Sequence, residues 1–152
     1  MIEAVIEIQP GSRFKYEITE AGTLCLDRVI DSIYPTHYGF IPNTLELDGD
    51  PLDIFIVSSE TIPHLATVKI IIIGAFLCKD NGVQDNKLFV RVANDLNGSY
   101  SHIINHIDNT HNHIGSFLKT YKSNFEVIKY IGKEEASKLY EQAVLNFKEA
   151  NK

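Results

Sequence analysis

The stretch "ELDGDPLDIFIVS" (residues 46–58) changes character halfway along. Asp48, Asp50 and Asp53 crowd around a Gly-Pro pair, and an apolar, strand-forming run follows at once. Glycine permits close backbone approach and Pro51 fixes its own φ, so the acidic half reads as a tight turn. Carboxylates held this close repel, by about 4 kcal/mol per pair at ~4 Å in a partly desolvated site. A solvated acidic turn is the plainer reading, since Asp-Gly is common in turns. The sharper reading is a cation site, and an all-oxygen donor set selects hard divalent ions, Mg²⁺ or Mn²⁺. Two other motifs fail at Leu52. An EF-hand loop counted from Asp48 needs an oxygen ligand there, and an aspartyl phosphatase needs Thr or Val.

Outward from this turn, the first two-thirds of the chain reads as strands. "AVIEI" (4–8), "FKYEIT" (14–19), "LCLDRVI" (24–30), "LDIFIVS" (52–58), "TVKIIIIGAFLC" (67–78) and "KLFVRVA" (87–93) are rich in β-branched and aromatic residues. Turn signals such as "PGS", "EAGT" and "DNG" separate them. Short strands at this spacing predict an antiparallel sheet or small barrel. The last third changes period. Ile114, Phe117, Leu118 and Tyr121 lie on one helical face, and "TYK" (120–122) closes that helix. Ala136, Leu139, Tyr140, Ala143 and Phe147 define a second helix, with "GKEE" (132–135) placing acids in its first turn. Strands followed by helices give an α+β class, mainly β: a closed barrel with helices packed outside, in one domain over 1–152.

The composition narrows the function. Fourteen basic and twenty acidic residues leave a net charge of −6, which argues against nucleic acid as a partner. Cys25 and Cys78 each sit among apolar residues and read as buried free thiols rather than a disulfide. "MIEAVIEIQ" lacks the basic start and cleavage site of a signal peptide, and "IIIIGAFLC" (70–78) is too short to span a bilayer. The expectation is a cytoplasmic protein with no membrane partner. His102, His106, His111 and His113 raise a zinc reading, but no Cys or His-Glu-x-x-His pattern accompanies them.

"KDNGVQDNK" (79–87) supplies a second acidic loop with Asp80, Asp85 and Lys87. If a barrel brings both loops to one rim, five aspartates share a site that holds more than one metal ion. Lys15 and Arg28 lie inside strand-like segments, where a charge is unusual unless that face opens into a cleft. Lys15 and Glu17, two apart, share a strand face. "YPTHYGF" (34–40) places Tyr34 and Tyr38 in a Pro- and Gly-containing loop.

These residues resemble the soluble family I inorganic pyrophosphatases. Their signature Asp-x-Asp-Pro-x-Asp matches "DGDPLD" (48–53). "VIEI" (5–8), "KYEI" (15–18), "DR" (27–28), "YPxxYG" (34–39), "DxxxxDxK" (80–87) and "YK" (121–122) follow the family in order and approximate spacing. The resemblance implies a five-stranded OB-like barrel, Mg²⁺-dependent hydrolysis of pyrophosphate to two phosphates, and a homo-oligomer, a hexamer before a dimer. Asp48, Asp53 and Asp85 would bind the tighter metal, with Asp53 bridging to a second. Asp50 would accept the proton of a water shared by those two metals. Asp80 and Asp85 would hold a metal arriving with substrate, while Glu7 and Glu17 support outer metals through water. Lys15, Arg28, Lys87, Tyr121 and Lys122 would hold the phosphates. Tyr38 would sit beside the nucleophile and Tyr34 would line the site. Asn81 stands where the family usually has glutamate, which predicts weaker outer-metal binding. A nucleic-acid or nucleotide-binding OB module gives no reason for five loop aspartates, whereas another Mg²⁺-dependent phosphohydrolase differs only in needing a pocket for an organic group.

Overall fold

The structure, a computed structural model, describes residues 1–93 and 100–152, and for 100–109 the backbone alone. The elements run β1 (Ile2–Ile8), β2 (Phe14–Ile18), β3 (Leu24–Val29), β4 (His37–Ile41), β5 (Leu52–Val57), β6 (Thr67–Asp80), β7 (Val83–Gln84), β8 (Lys87–Val92), α1 (Tyr100–Lys119), β9 (Phe125–Gly132) and α2 (Lys133–Ala150).

Five strands close on themselves. The path β1-β4-β5-β8-β6 returns to its start because β6 also pairs with β1. The long β6 can serve several neighbours because its 14 residues reach past the ring, where β7 and β9 pair with its far end. Every pairing in the ring is antiparallel except one. β5 and β8 run parallel, Asp53 opposite Lys87, which departs from the antiparallel expectation. That single parallel pair sets the two acidic loops, one entering β5 and the other entering β8, at the same edge.

Three elements were not legible as strands: β4, β9 and the two-residue β7, which lies within the predicted loop 79–87. "HYGFI" reads as a Pro- and Gly-flanked loop, yet it is β4, because Gly39 lets β1 approach. An added Cβ there would meet the Val5 carbonyl oxygen at 1.9 Å. "FEVIKYIG" carries no clean alternation, and β9 is half-exposed because it covers only the outer end of β6.

β5 is buried on both faces, and this divides the core in two. Leu52, Ile54 and Ile56 join an aliphatic cluster with Ile6, Ile70, Leu88 and Ala143 of α2. Phe55 and Val57 point the other way, into an aromatic cluster with Tyr38, Phe76, Phe89 and, from α1, Ile114, Phe117 and Leu118. Fully burying a side chain of this kind contributes about 1.5–3 kcal/mol. α1 ends at Lys119, one turn before the predicted stop, so Tyr121 and Lys122 lie in the turn beyond it. α2 follows the sequence reading, with Glu134 and Glu135 in its first turn and Ala136 and Ala143 buried.

The cysteines divide. Cys78 is buried, and burial pushes its thiol up to about 12. Cys25 is exposed, contrary to expectation: it lies on β3 of the two-stranded β2–β3 hairpin, which stands outside the ring. Both thiols are free. His111 stacks on Phe76 and meets Tyr130 edge-on, so it packs among aromatics, and His113 is exposed. The side chains of His102 and His106 lie outside the described residues.

Candidate active site

Three neighbouring strands build the centre of the site. Tyr38 of β4 pairs with Phe55 of β5, Phe40 with Asp53, and Asp53 with Lys87 of β8. Strand alternation therefore puts Tyr38, Asp53 and Lys87 on the face that also carries Phe55 and Phe89. The site is the polar end of the aromatic core. Lys87 Nζ donates to Asp53 Oδ2 at 2.7 Å, to Asp85 Oδ1 at 3.1 Å and to the Tyr38 hydroxyl at 2.8 Å. The Tyr38 hydroxyl donates in turn to Asp53 Oδ2 at 2.8 Å. All three ammonium protons are used, which is what a fully buried lysine requires. Burial is the largest influence on Lys87 and works to discharge it. Asp53 and Asp85 outweigh that influence and hold its pKa above the usual lysine range. Tyr38 is pushed up by burial and then by the charge of Asp53.

The acidic turn is braced locally. Gly49 takes φ +89°, a conformation glycine adopts freely, and its N–H donates to the Glu46 carbonyl at 3.1 Å. Asp48 Oδ1 accepts the Asp50 N–H at 3.0 Å. Buried Thr44 closes the base of the loop: its hydroxyl accepts the Leu52 N–H at 2.9 Å and donates to the Ile41 carbonyl. Asp48 and Asp50 stand at the exposed lip, while Asp53 descends toward Lys87.

The hairpin and the chain after α1 supply the remaining walls. Between β2 and β3 the register slips from Lys15↔Arg28 to Tyr16↔Leu26, leaving Asp27 as the extra, bulged residue. A bulge re-aims its side chain. Asp27 Oδ2 thus lies 3.1 Å from Lys15 Nζ, with Glu17 at 3.7 Å. Glu7 Oε2 accepts the Ile18 N–H at 3.2 Å and ties the hairpin to the ring. Lys122 Nζ donates to Asp80 Oδ2 at 2.8 Å.

Together these elements enclose a cleft of about 260 Å³. It gathers Glu7, Lys15, Glu17, Tyr38, Asp48, Asp50, Asp53, Asp80, Asp85, Lys87, Tyr121 and Lys122. Arg28 and Tyr34 are not part of its wall. The Arg28 guanidinium lies 5.5 Å from the Tyr121 ring, and among the described residues its buried Nη2 has no hydrogen-bond partner. The Tyr34 ring packs against Phe117, Tyr38 and Tyr121. Asn81 is also outside the cleft wall. With Gly82 it forms the two-residue turn between β6 and β7, at φ +51° and +80°, so the turn accounts for an asparagine there. Sequence reasoning noted Asp27 within "DR" but gave it no role, because a bulge leaves no mark in the residue pattern. It likewise gave no role to buried Glu46, whose carboxyl is pushed up to about 7 by burial and then by Asp48.

The donor set fits divalent cations. Among the described residues the carboxylates do not converge into a ready-made cluster of three, since Lys87 stands between Asp53 and Asp85. They nonetheless face one cleft and strain against one another. Glu7 is pushed up to about 8 by burial and then by Asp53, and Asp48 is raised by burial. An all-oxygen cleft of this kind favours hard ions.

A closed five-stranded ring whose rim gathers carboxylates edged by lysines defines a class by fold and site: a small β-ring carrying a polar cleft whose donors suit anions and divalent cations. The chain matches the family model described as inorganic pyrophosphatase over residues 4–148. It is 38% identical to the inorganic pyrophosphatase of Halalkalibacterium halodurans, covering 97% of this chain and 96% of that one. It is 35% identical to the inorganic pyrophosphatase of Campylobacter jejuni, covering 97% and 92%. The crystal structure of inorganic pyrophosphatase from Thermus thermophilus superposes with a TM-score of 0.86 at 30% identity, covering 96% of this chain and 90% of that chain. The chain belongs to the family I inorganic pyrophosphatases, a family of inorganic diphosphatases.

Proposed function

We propose that the protein hydrolyses inorganic pyrophosphate to two orthophosphates with Mg²⁺. The observation that carries this reading is the meeting of both acidic loops with Lys15, Lys87 and Lys122 in one cleft. At about 260 Å³ the cleft is smaller than the ~300–1,000 Å³ of sites for drug-sized organic ligands. Its polar wall suits a compact anion.

Asp48, Asp53, Asp80 and Asp85 would hold the metal ions, with Glu7 and Glu17 supporting through water. The ions would supply positive charge against the anionic substrate and acidify the attacking water. The rest is work for the chain. Asp50, exposed at the turn's tip, takes the proton of the attacking water as its oxygen bonds to one phosphorus. The bridging P–O bond breaks, and its electron pair leaves with the second phosphate. Lys15, Lys122 and Tyr121 receive the phosphate oxygens, and Arg28 brings a buried Nη2, unpaired among the described residues, to the same end. These donors stabilise charge that grows on the leaving group. Lys87 joins them by exchanging one of its three partners, since all its protons are otherwise committed. Tyr38 keeps Asp53 oriented, and Tyr34 backs Tyr121. With this reading go one domain over 1–152, a cytoplasmic location and a homo-oligomer, hexamer before dimer. No helix among the described residues is long and apolar enough to cross a membrane.

The test compares wild type with Asp50→Asn on pyrophosphate, a nucleoside triphosphate and a phosphate monoester, each with Mg²⁺. Pyrophosphate cleavage that dominates the panel and falls about 100-fold or more in the variant supports the reading, a loss typical of removing a positioned proton acceptor. Preference for either organic substrate overturns it.

A further inference from the structure

The second acidic loop contains a device that the chemistry above does not use. β6 and β7 pair with Lys79 opposite Gln84, and β6 and β8 pair with Phe76 opposite Lys87. Both pairs belong to one register, which runs on through Cys78 opposite Asp85. In an uninterrupted antiparallel ladder such a pair exchanges two main-chain hydrogen bonds. Only one forms in the ordinary way: the Asp85 N–H donates to the Cys78 carbonyl at 2.9 Å. The Cys78 N–H instead donates to the side-chain oxygen of Asn86, Oδ1, at 3.1 Å. A carboxamide has taken the place of the Asp85 carbonyl, and residues 85 and 86 drop out of both strands.

This break lies between two residues of the proposed site. Asp85 and Lys87 flank Asn86, face the cleft and meet at 3.1 Å. Asn86 is 4% exposed, away from the cleft wall, and holds the Cys78 backbone on the opposite side. Cys78 is itself a point of slack, since the β6–β9 register slips between Leu77 and Cys78. Without the Asn86 oxygen the Cys78 N–H is left to recapture the Asp85 carbonyl. That recapture rotates the Asp85 peptide and carries its carboxylate away from Lys87 and Asp53.

We propose that Asn86 is a positioning residue, whose side-chain oxygen holds the strand break at Cys78 and so aims the Asp85 carboxylate into the cleft, toward Lys87. The inference rests on the pyrophosphatase reading for its readout, and on the hydrogen-bond pattern for its substance.

The experiment uses the whole chain in five forms: wild type, Asn86→Leu, Asn86→Asp, Asp85→Asn, and Asp85→Asn combined with Asn86→Leu. Leucine matches the shape without an acceptor, and aspartate restores one. Pyrophosphate turnover is measured across a Mg²⁺ titration, with thermal unfolding alongside and Asp85→Asn alone as reference. In Asn86→Leu, the half-saturating Mg²⁺ concentration should rise and turnover fall by about 10-fold or more, as when an outer-sphere partner is lost. Asn86→Asp should recover most of that loss. Adding Asn86→Leu to Asp85→Asn should cost nothing further, because Asn86 acts through Asp85. The proposal is overturned if Asn86→Leu only lowers the melting temperature at unchanged kinetics, or if its effect multiplies with that of Asp85→Asn. If Asn86→Leu does not fold, amide exchange at Cys78 in Asn86→Asp decides. Protection equal to wild type supports the clamp, and fast exchange with unchanged turnover refutes it. An inactive wild type would instead remove the pyrophosphatase reading, and Cys78 amide protection would still judge the clamp.

Discussion

Replacing Lys87 with methionine should unfold part of the margin on which the metal-free protein stands, and should do so in a pH-dependent way. The side chain is 3% exposed and its ammonium touches Asp53 at 2.7 Å and Asp85 at 3.1 Å, carboxylates that are 26% and 12% exposed. Each contact is worth on the order of 5 kcal/mol before desolvation at an effective dielectric of about 20. Methionine keeps the stem's packing but leaves two carboxylates facing each other. Breaking a buried pair from one side costs about 3–5 kcal/mol. The penalty has a ceiling, because an orphaned carboxylate can take up a proton. For an aspartate of ordinary acidity, ~3.9, that costs about 4 kcal/mol at pH 7 and about 1.5 kcal/mol at pH 5. The variant binds a proton on folding that the unfolded chain does not, so its stability falls as pH rises. Urea unfolding in chelator should therefore show Lys87→Met less stable than wild type by about 3–4 kcal/mol at pH 7 and by about 1–2 kcal/mol at pH 5. Added Mg²⁺ should narrow the gap at pH 7 by restoring positive charge. A loss under about 1 kcal/mol at pH 7, or one equal at both pH values, would refute the reasoning.

Three further outcomes follow from single positions. His37 accepts the Ile62 N–H at its Nε2 at 2.8 Å, and burial, then His64, lowers its pKa to about 4. The unfolded chain protonates near 6.5 and the folded one near 4, so this stability is present above 6.5 and drains between those values as pH falls, by about 3 kcal/mol. The difference between wild-type and His37→Gln unfolding curves isolates this from Glu7, whose raised value acts in the opposite sense, and a flat difference would contradict it. Gly39→Ala puts a Cβ 1.9 Å from a backbone oxygen of β1, so a loss of about 3 kcal/mol is expected in chemical denaturation, and a neutral effect would mean that the β1–β4 seam can open freely. Asn81→Glu forces a poor residue into φ +51° and should cost about 1 kcal/mol in thermal unfolding. If it also lowers the half-saturating Mg²⁺ concentration, residue 81 governs outer-metal binding as the family pattern implies; an unchanged value leaves it a turn residue only.

Much of this molecule is written in local pattern. Alternation and turn chemistry mark β1, β2, β3, β5, β6 and β8, and the 3.6-residue period marks α2 and the end of α1, from Ile114 on. Gathering the acidic loops needs more, because it depends on ring closure through β1–β6 and on the parallel pairing of β5 with β8. Neither is local. β4 escaped notice because Pro35, Gly39 and Pro42 resemble loop punctuation, although Gly39 is there for a close approach between strands. Cys25 looked buried because apolar neighbours in sequence, Leu24 and Leu26, lie on a hairpin with too little structure over it. Arg28 and Tyr34 carry the expected residue types, but neither lines the cleft, and Tyr34 is taken up by packing against Phe117 of α1. The role given to Asn86 rests on a side chain standing in for a main-chain acceptor, which no residue pattern announces.

The proposed work of these carboxylates and lysines is to hydrolyse pyrophosphate with the help of divalent cations. The most direct test is phosphate release from pyrophosphate by the wild-type protein, stripped of metal with chelator and then replenished with Mg²⁺. No turnover is expected in chelator, and rapid release once Mg²⁺ is in excess. Folded protein that releases no phosphate with ample Mg²⁺, or that releases it equally well in chelator, would contradict that reading.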